Sequence, residues 1–299
     1  SLAAFVRAAV EGSRTTFGSS IRRRPGAPWD AREVAFAVAV WQVARGIRSV
    51  VLADDTWPSH LATIARSLAG AVHACCGDMA DSERPFVLSL EADSALFVVH
   101  PRLLVNRLAW AKAEPSLPNT VVIDVCPATC PERLPRPVST APLLGLLSRL
   151  HDAIRRRLDD PGWGPPSSWH APPLGTVPSL CALAPLAGWL LEYPAVYGFG
   201  PDLTTASQDN CLSGTMLNHY SVVLDAKSAD LLPAQASTAN VQLLSFTIPT
   251  SQAHAMPHLH KAAQERVRAI AEAWADADAS LPSFVHVDET QLTLDHVAL

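Results

Sequence analysis

The spacing of apolar positions changes several times along the chain, and each change marks an element. After Asp30, the residues Val34, Phe36, Val38, Val40, Trp41 and Val43 surround a helical axis. That predicts a helix buried on nearly all sides, ending at Gly46. Asp30, with Glu33 three residues later, is the pairing that satisfies the first free amides of a helix. Residues 49–53 are a short run, apolar after Ser49, as expected of a strand covered on both faces. Asp54 and Asp55 follow directly, then Thr56 and Pro58, which suit a helix start. Leu61, Ile64, Ala65, Leu68 and Val72 recur at helical spacing, so this region reads as a β-α unit. Residues 86–90 and 95–99, joined by a polar turn, read as a hairpin.

Further on, residues 103–113 are helical in pattern and residues 120–125 form the clearest strand, with Asp124 near its carboxyl end. A helix over 140–158 places Leu143, Leu147, Leu150, Ile154 and Leu158 on one face, and Arg155 to Arg157 complement the dipole at its end. Residues 160–178, dense in Pro, Gly and Trp, read as a long ordered loop or subdomain hinge, because bulky aromatics favour burial. The region from 189 to 224 organises the rest. A hydrophobic helix end at 188–192 leads to an aromatic strand at 195–199, a polar loop with Asp209 to Leu212, and a strand at 219–224. A strand at 241–248, an amphipathic helix at 262–274 and a terminal hairpin of 284–288 with 291–297 complete the chain. A short helix at 2–10 opens it and a loop at 13–28 follows. This order predicts an α/β fold: a single domain over 1–299 with a mixed β-sheet flanked by helices and antiparallel strands in the C-terminal half.

Composition narrows the classes. In 299 residues, 48% hydrophobic content gives ample material for a large core and argues against disorder. A net charge of −5 argues against a nucleic-acid binder, which normally carries a basic surplus; Arg22 to Arg24 read as a solvated segment. Six scattered cysteines form no framework and read as free intracellular thiols. No apolar run approaches the ~20 residues that span a bilayer. The first residue is Ser1 rather than Met, consistent with a removed residue or leader, and says nothing of targeting. Cytoplasm is the expected location. The sequence holds neither a Gly-rich phosphate loop ending in Gly-Lys-Ser/Thr nor a Gly-x-Ser-x-Gly elbow, which weakens nucleotide-hydrolase and serine-hydrolase readings.

Several positions could carry chemistry. Cys211 is either a thiolate nucleophile, with His219 or a distant histidine as base, or a small buried hydrophobe beside Leu212. Asp209 and Asn210 either turn the chain through backbone amides or contact a ligand. Asp54, Asp55 and Asp124 sit at the carboxyl ends of strands, where open α/β sheets bind ligands. They could serve as acid, base or Mg²⁺ ligands, or simply cap helices and turns. Tyr197, on the adjoining strand, joins the ligand-binding candidates. Cys126 and Cys130 have zinc-compatible spacing but lack a second pair, which favours a structural loop. His254, His258 and His260 are either a three-histidine zinc site or a solvated segment ahead of a helix, with Pro257 breaking any shared helical face.

Tyr193-Pro194-Ala195-Val196-Tyr197-Gly198-Phe199, followed by Asp209-Asn210-Cys211-Leu212, resembles an uncharacterised eukaryotic family whose human member is the product of open reading frame seventy-four on chromosome one. Ser245 to Pro249 and the Val297-Ala298-Leu299 terminus share the likeness. The resemblance implies no reaction and directs attention to the 209–212 tetrad. The functional expectation is therefore a small-molecule hydrolase or transferase whose cleft joins the sheet-edge carboxylates to the 209–212 loop. The alternative is a non-catalytic binding or scaffold protein. Cofactor and oligomeric state are not indicated.

Overall fold

The computed structural model of the chain describes residues 2–6, 31–52, 72, 76, 79–80, 83–90, 95–114, 117, 119–126, 129–130, 134–159, 168–170, 179–200, 211–225, 240–278 and 284–294. Asp54, Asp55, Asp209 and Asn210 lie outside these residues, as do the Asp30 cap and the helix read from Thr56.

In chain order the elements are α1 (Ala31–Ala44), β1 (Val50–Leu52), β2 (Phe86–Leu90), β3 (Ala95–Val99), α2 (Pro101–Ala113), β4 (Val121–Asp124), β5 (Arg136–Val138), α3 (Ala141–Leu158) and β6 (Ser168–His170). Then come α4 (Ser179–Leu190), β7 (Ala195–Gly198), β8 (Met216–Asp225), β9 (Asn240–Pro249), α5 (Thr250–Ala255), α6 (Pro257–Ala277) and β10 (Val285–Thr293).

The strands form three small sheets, ordered β1-β3-β2-β6, β5-β4-β7 and β10-β8-β9. The first two are mixed: β2 runs parallel to β6 and β4 parallel to β7, while their other pairings are antiparallel. The third, built from the C-terminal half, is antiparallel throughout. The α/β class and its antiparallel C-terminal strands are thus present, with the pairing divided among separate sheets.

The β5-β4-β7 sheet lies between two cores, and its residue types explain why. Val122 and Val196 face a core shared with Leu104 and Leu108 of α2, Leu147 and Leu150 of α3, and Trp189 of α4. Their neighbours Ile123 and Ala195 face the opposite core, with Leu217 and Tyr220 of β8 and Val267 and Ile270 of α6. Alternate side chains of a strand point to opposite faces, so only an apolar strand fits here. Burying each such aliphatic side chain is worth roughly 1.5–3 kcal/mol. The β2-β3 hairpin splits likewise: Leu88 and Phe97 join the helical core, while Val87 and Val98 meet Val40 and Val43 of α1. Helix α1 spans two cores, and its Trp41 ring lies 4.8 Å from that of Trp274 on α6. Shared elements make these cores one α/β unit.

Three expectations need correction. No terminal hairpin forms: β10 is one nine-residue strand paired with β8 along its whole length. Its side chains are mostly exposed, so backbone pairing defines it and hydrophobic alternation is absent. Helix α6 starts at Pro257, not residue 262, because proline is tolerated in a helix's first turn. His258 and His260 are therefore helical, while His254 lies on α5, with Met256 separating the two helices. Lastly, the stretch 160–178 contains β6, a strand of three residues, too short to carry a periodic signal.

Candidate functional site

The predicted site residues that fall within the described structure divide between two places. The first is the carboxyl end of β4. Asp124 is fully buried, and its Oδ1 accepts from the backbone N–H of Cys126 at 3.0 Å and of Gly200 at 2.8 Å. Its Oδ2 accepts from the Thr129 hydroxyl at 2.6 Å and lies 3.8 Å from Arg136 Nε. Gly200, at φ +77°, takes a conformation that glycine adopts without strain. An Asp closing its own turn is a common local motif; here it also fastens the end of β7 to the end of β4.

Cys211 meets this turn. Its amide donates to the Val125 carbonyl at 3.0 Å, and its thiol lies beside that of Cys130. Cys130 Sγ in turn donates to the Asp124 carbonyl at 3.1 Å. Asp124 and Cys211 thus sit on the same turn. However, Cys211 is 4% exposed, and burial, reinforced by the Cys130 thiol, pushes its own thiol up to about 12. That argues against a thiolate nucleophile, since a reactive cysteine needs an electropositive setting that lowers its pKa. The turn made by Cys126 and Cys130 is closed by Cys130 N–H donating to Cys126 C=O at 2.9 Å.

The second place is β9. His219 stands opposite Thr247 in the β8–β9 register. Its Nε2 is 2.8 Å from Ser245 Oγ and its Nδ1 is 3.4 Å from Thr290 Oγ1; neither nitrogen engages Cys211. Tyr197 donates to the Thr247 carbonyl at 2.7 Å and lies 3.2 Å from its hydroxyl, joining β7 to β9. Burial raises the Tyr197 phenol further out of titration range. Of the histidine group, His260 pairs its Nδ1 with the Tyr220 hydroxyl at 2.6 Å. Among the described residues no three metal-ligating side chains come together.

Sequence reasoning missed a third place, where the chain leaves α4. Glu192 N–H donates to Trp189 C=O and Tyr193 N–H to Gly188 C=O, the paired bonds that end a helix through a left-handed residue. That residue is Glu192, at φ +66°, where glycine is usual. Its Oε1 accepts from Ser49 N–H at 3.1 Å and Ser49 Oγ at 2.6 Å, with Arg107 Nη1 at 3.6 Å. Its Oε2 pairs with Arg266 of α6. Burial alone would raise this carboxyl, but Arg266 and Arg107 outweigh it and hold Glu192 down to about 2. Burial lowers Arg107 to about 10, and its guanidinium sits 3.9 Å above the Trp189 ring. Arg48 is buried as well: Nη1 donates to Leu243 C=O at 3.0 Å and Nη2 to Leu191 C=O at 2.8 Å. Leu243 is the extra residue of a bulge opposite Val222 and Val223, which frees its carbonyl for Arg48.

Beside Arg48 opens a cavity of about 400 Å³. Helix α1 lines it with Phe36, Ala39 and Gln42; β1 contributes Val51 and Leu52, and β9 contributes residues 242–245. Leu191 and Tyr193 close one side. β1 and β9 are both edge strands, so the space lies between two sheet margins. Gln42, 2% exposed, has no hydrogen-bond partner at Oε1, and Arg48, 5% exposed, has none at Nε. The one sequence signal was Glu192, the only charge between residues 179 and 201; its partners come from α2, α6 and the start of β1.

Among the described residues no helix is long and apolar enough to cross a membrane. No curated protein and no solved structure matches the chain. Residues 20–277 match the family described as a domain of unknown function (DUF4504), and over that span the chain belongs to it.

Proposed function

We propose that the chain binds a small molecule without transforming it, in the cavity between α1, β1 and β9. One observation carries the reading: Gln42 and Arg48, each with a buried side-chain atom that has no hydrogen-bond partner (Oε1 and Nε), border the same roomy space. Ligand sites characteristically combine apolar walls with a few convergent polar groups, and a buried polar atom left unpaired costs about 1–3 kcal/mol unless something meets it. The test is retention of a small molecule. Purified protein is equilibrated with a cell extract, re-isolated and denatured to release what it holds. Wild type should release a species that Ala39→Phe, which fills the cavity, does not. Equal release by both proteins would contradict the reading.

A second reading, hydrolysis or group transfer on a small molecule, has the meeting of Asp124 and Cys211 in its favour, with Asp54, Asp55, Asp209 and Asn210 as further contributors. It is also supported by the His219–Ser245 pair, 2.8 Å apart, because Ser245 borders the cavity. Loss of turnover in Ser245→Ala at unchanged melting temperature would favour it over binding alone. We further infer that the family is the one containing the human product of open reading frame seventy-four on chromosome one, on the strength of the 193–199 and 209–212 segments. Four buried free thiols, Cys76, Cys126, Cys130 and Cys211, support a reducing compartment such as the cytoplasm.

A further inference from the structure

Resting on the binding reading above, we propose that the cavity takes a small oxyanion, carboxylate or phosphate, carried on an apolar body, with Arg48 as its cation. Around the start of β1 the fold gathers three guanidiniums, Arg48, Arg107 and Arg266, against one carboxylate, Glu192. Both oxygens of Glu192 are engaged, one by Ser49 and Arg107 and the other by Arg266. Arg48 hydrogen-bonds to neutral carbonyls only, and among the described residues no carboxylate lies in salt-bridge contact with it, Glu192 acting on it from farther away. A buried charge is retained at low cost when paired, and its desolvation penalty is several kcal/mol otherwise. An anion in the adjacent cavity would supply the missing pair.

Geometry supports the same conclusion. The two carbonyl bonds fix the guanidinium plane at the cavity's edge, so the charge is held in place before any ligand arrives; such preorganisation lowers the cost of binding. Arg266 Nε and Trp274 Nε1 are also without hydrogen-bond partners, but neither lines the cavity. Phe36, Ala39, Val51 and Leu244 present hydrocarbon to the remainder, so a bare inorganic anion would leave most of the wall without a partner.

The experiment titrates four matched amphiphiles (octanoate, octyl phosphate, octan-1-ol and octylamine) into the full chain, read by calorimetry and by melting temperature, with Ala39→Phe as the blocked control. At least one of the two anions is expected to bind ten-fold or more tightly than octan-1-ol, octylamine is expected to bind weakest, and Ala39→Phe should lose at least ten-fold of the anion's affinity. Preference between octanoate and octyl phosphate identifies the headgroup. Octan-1-ol binding as well as either anion, with the loss in Ala39→Phe retained, would overturn the oxyanion assignment while leaving the binding reading intact. Equal affinity of wild type and Ala39→Phe for every probe would overturn both.

Discussion

Glu192 holds a left-handed backbone position at a helix end, where a side chain costs roughly 1–2 kcal/mol relative to glycine. The carboxylate justifies that cost by joining Ser49, Arg107 and Arg266 across three elements. Its lowered pKa fixes the sign of a pH effect. A carboxyl held at about 2, against an ordinary value near 4.5, contributes stability that is complete above pH ~4.5 and lost as pH falls towards 2. The loss should amount to about 3 kcal/mol. Urea titrations at stepped pH should show that slope in wild type and not in Glu192→Gln, which should be the weaker protein at neutral pH; an identical slope in both would contradict the assignment. Asp124 offers a second test at this scale. Asp124→Ala strands the buried amides of Cys126 and Gly200 and should cost about 3 kcal/mol or more. Asp124→Asn keeps an oxygen for those amides and should cost distinctly less. In the sequence both carboxylates were visible, but their roles were not. Asp124 read as a reactive sheet-edge group because nothing local reveals that Gly200, far along the chain, takes one of its lone pairs. Cys211 was similarly ambiguous until its burial was known.

At the level of elements, legibility followed side-chain pattern. β4, β2 and β3 were readable because two-sided burial demands unbroken apolar runs, and α3 because its leucines keep one face. β10 was not, since an exposed strand is defined by backbone pairing that leaves no hydrophobic alternation. β6 is too short to show a period. The junction of α4 with β7 carries its own prediction. A Cβ built on Gly188 would meet Val196 Cγ1 at 2.9 Å and Cβ at 3.2 Å, so the helix approaches the strand this closely only through glycine. Helix propensity alone would make Gly188→Ala stabilising by about 1 kcal/mol; overpacking against the β-branched Val196 should reverse the sign, with a net cost of about 1–3 kcal/mol. A rise in the urea midpoint would show that this contact is looser than described.

For the molecule as a whole, the instructive feature is how the strands are shared among three sheets. An apolar run announces a strand but not its partner, so the sequence could support an α/β class without revealing that β1 and β9 would end as facing margins. The cavity exists because of that arrangement, and no single segment encodes it: Gln42 comes from α1, Arg48 from the approach to β1, and the bulge at Leu243 from β9. The central claim is that the polar groups on its wall are reserved for a ligand rather than satisfied by the fold. The most direct measurement is the urea-denaturation stability of ligand-free Gln42→Leu. Replacing an unpartnered buried amide oxygen with hydrocarbon of similar size should stabilise the empty protein by about 1–2 kcal/mol. A variant less stable than wild type would mean that the Gln42 oxygen already has a partner in the folded chain, contradicting the account.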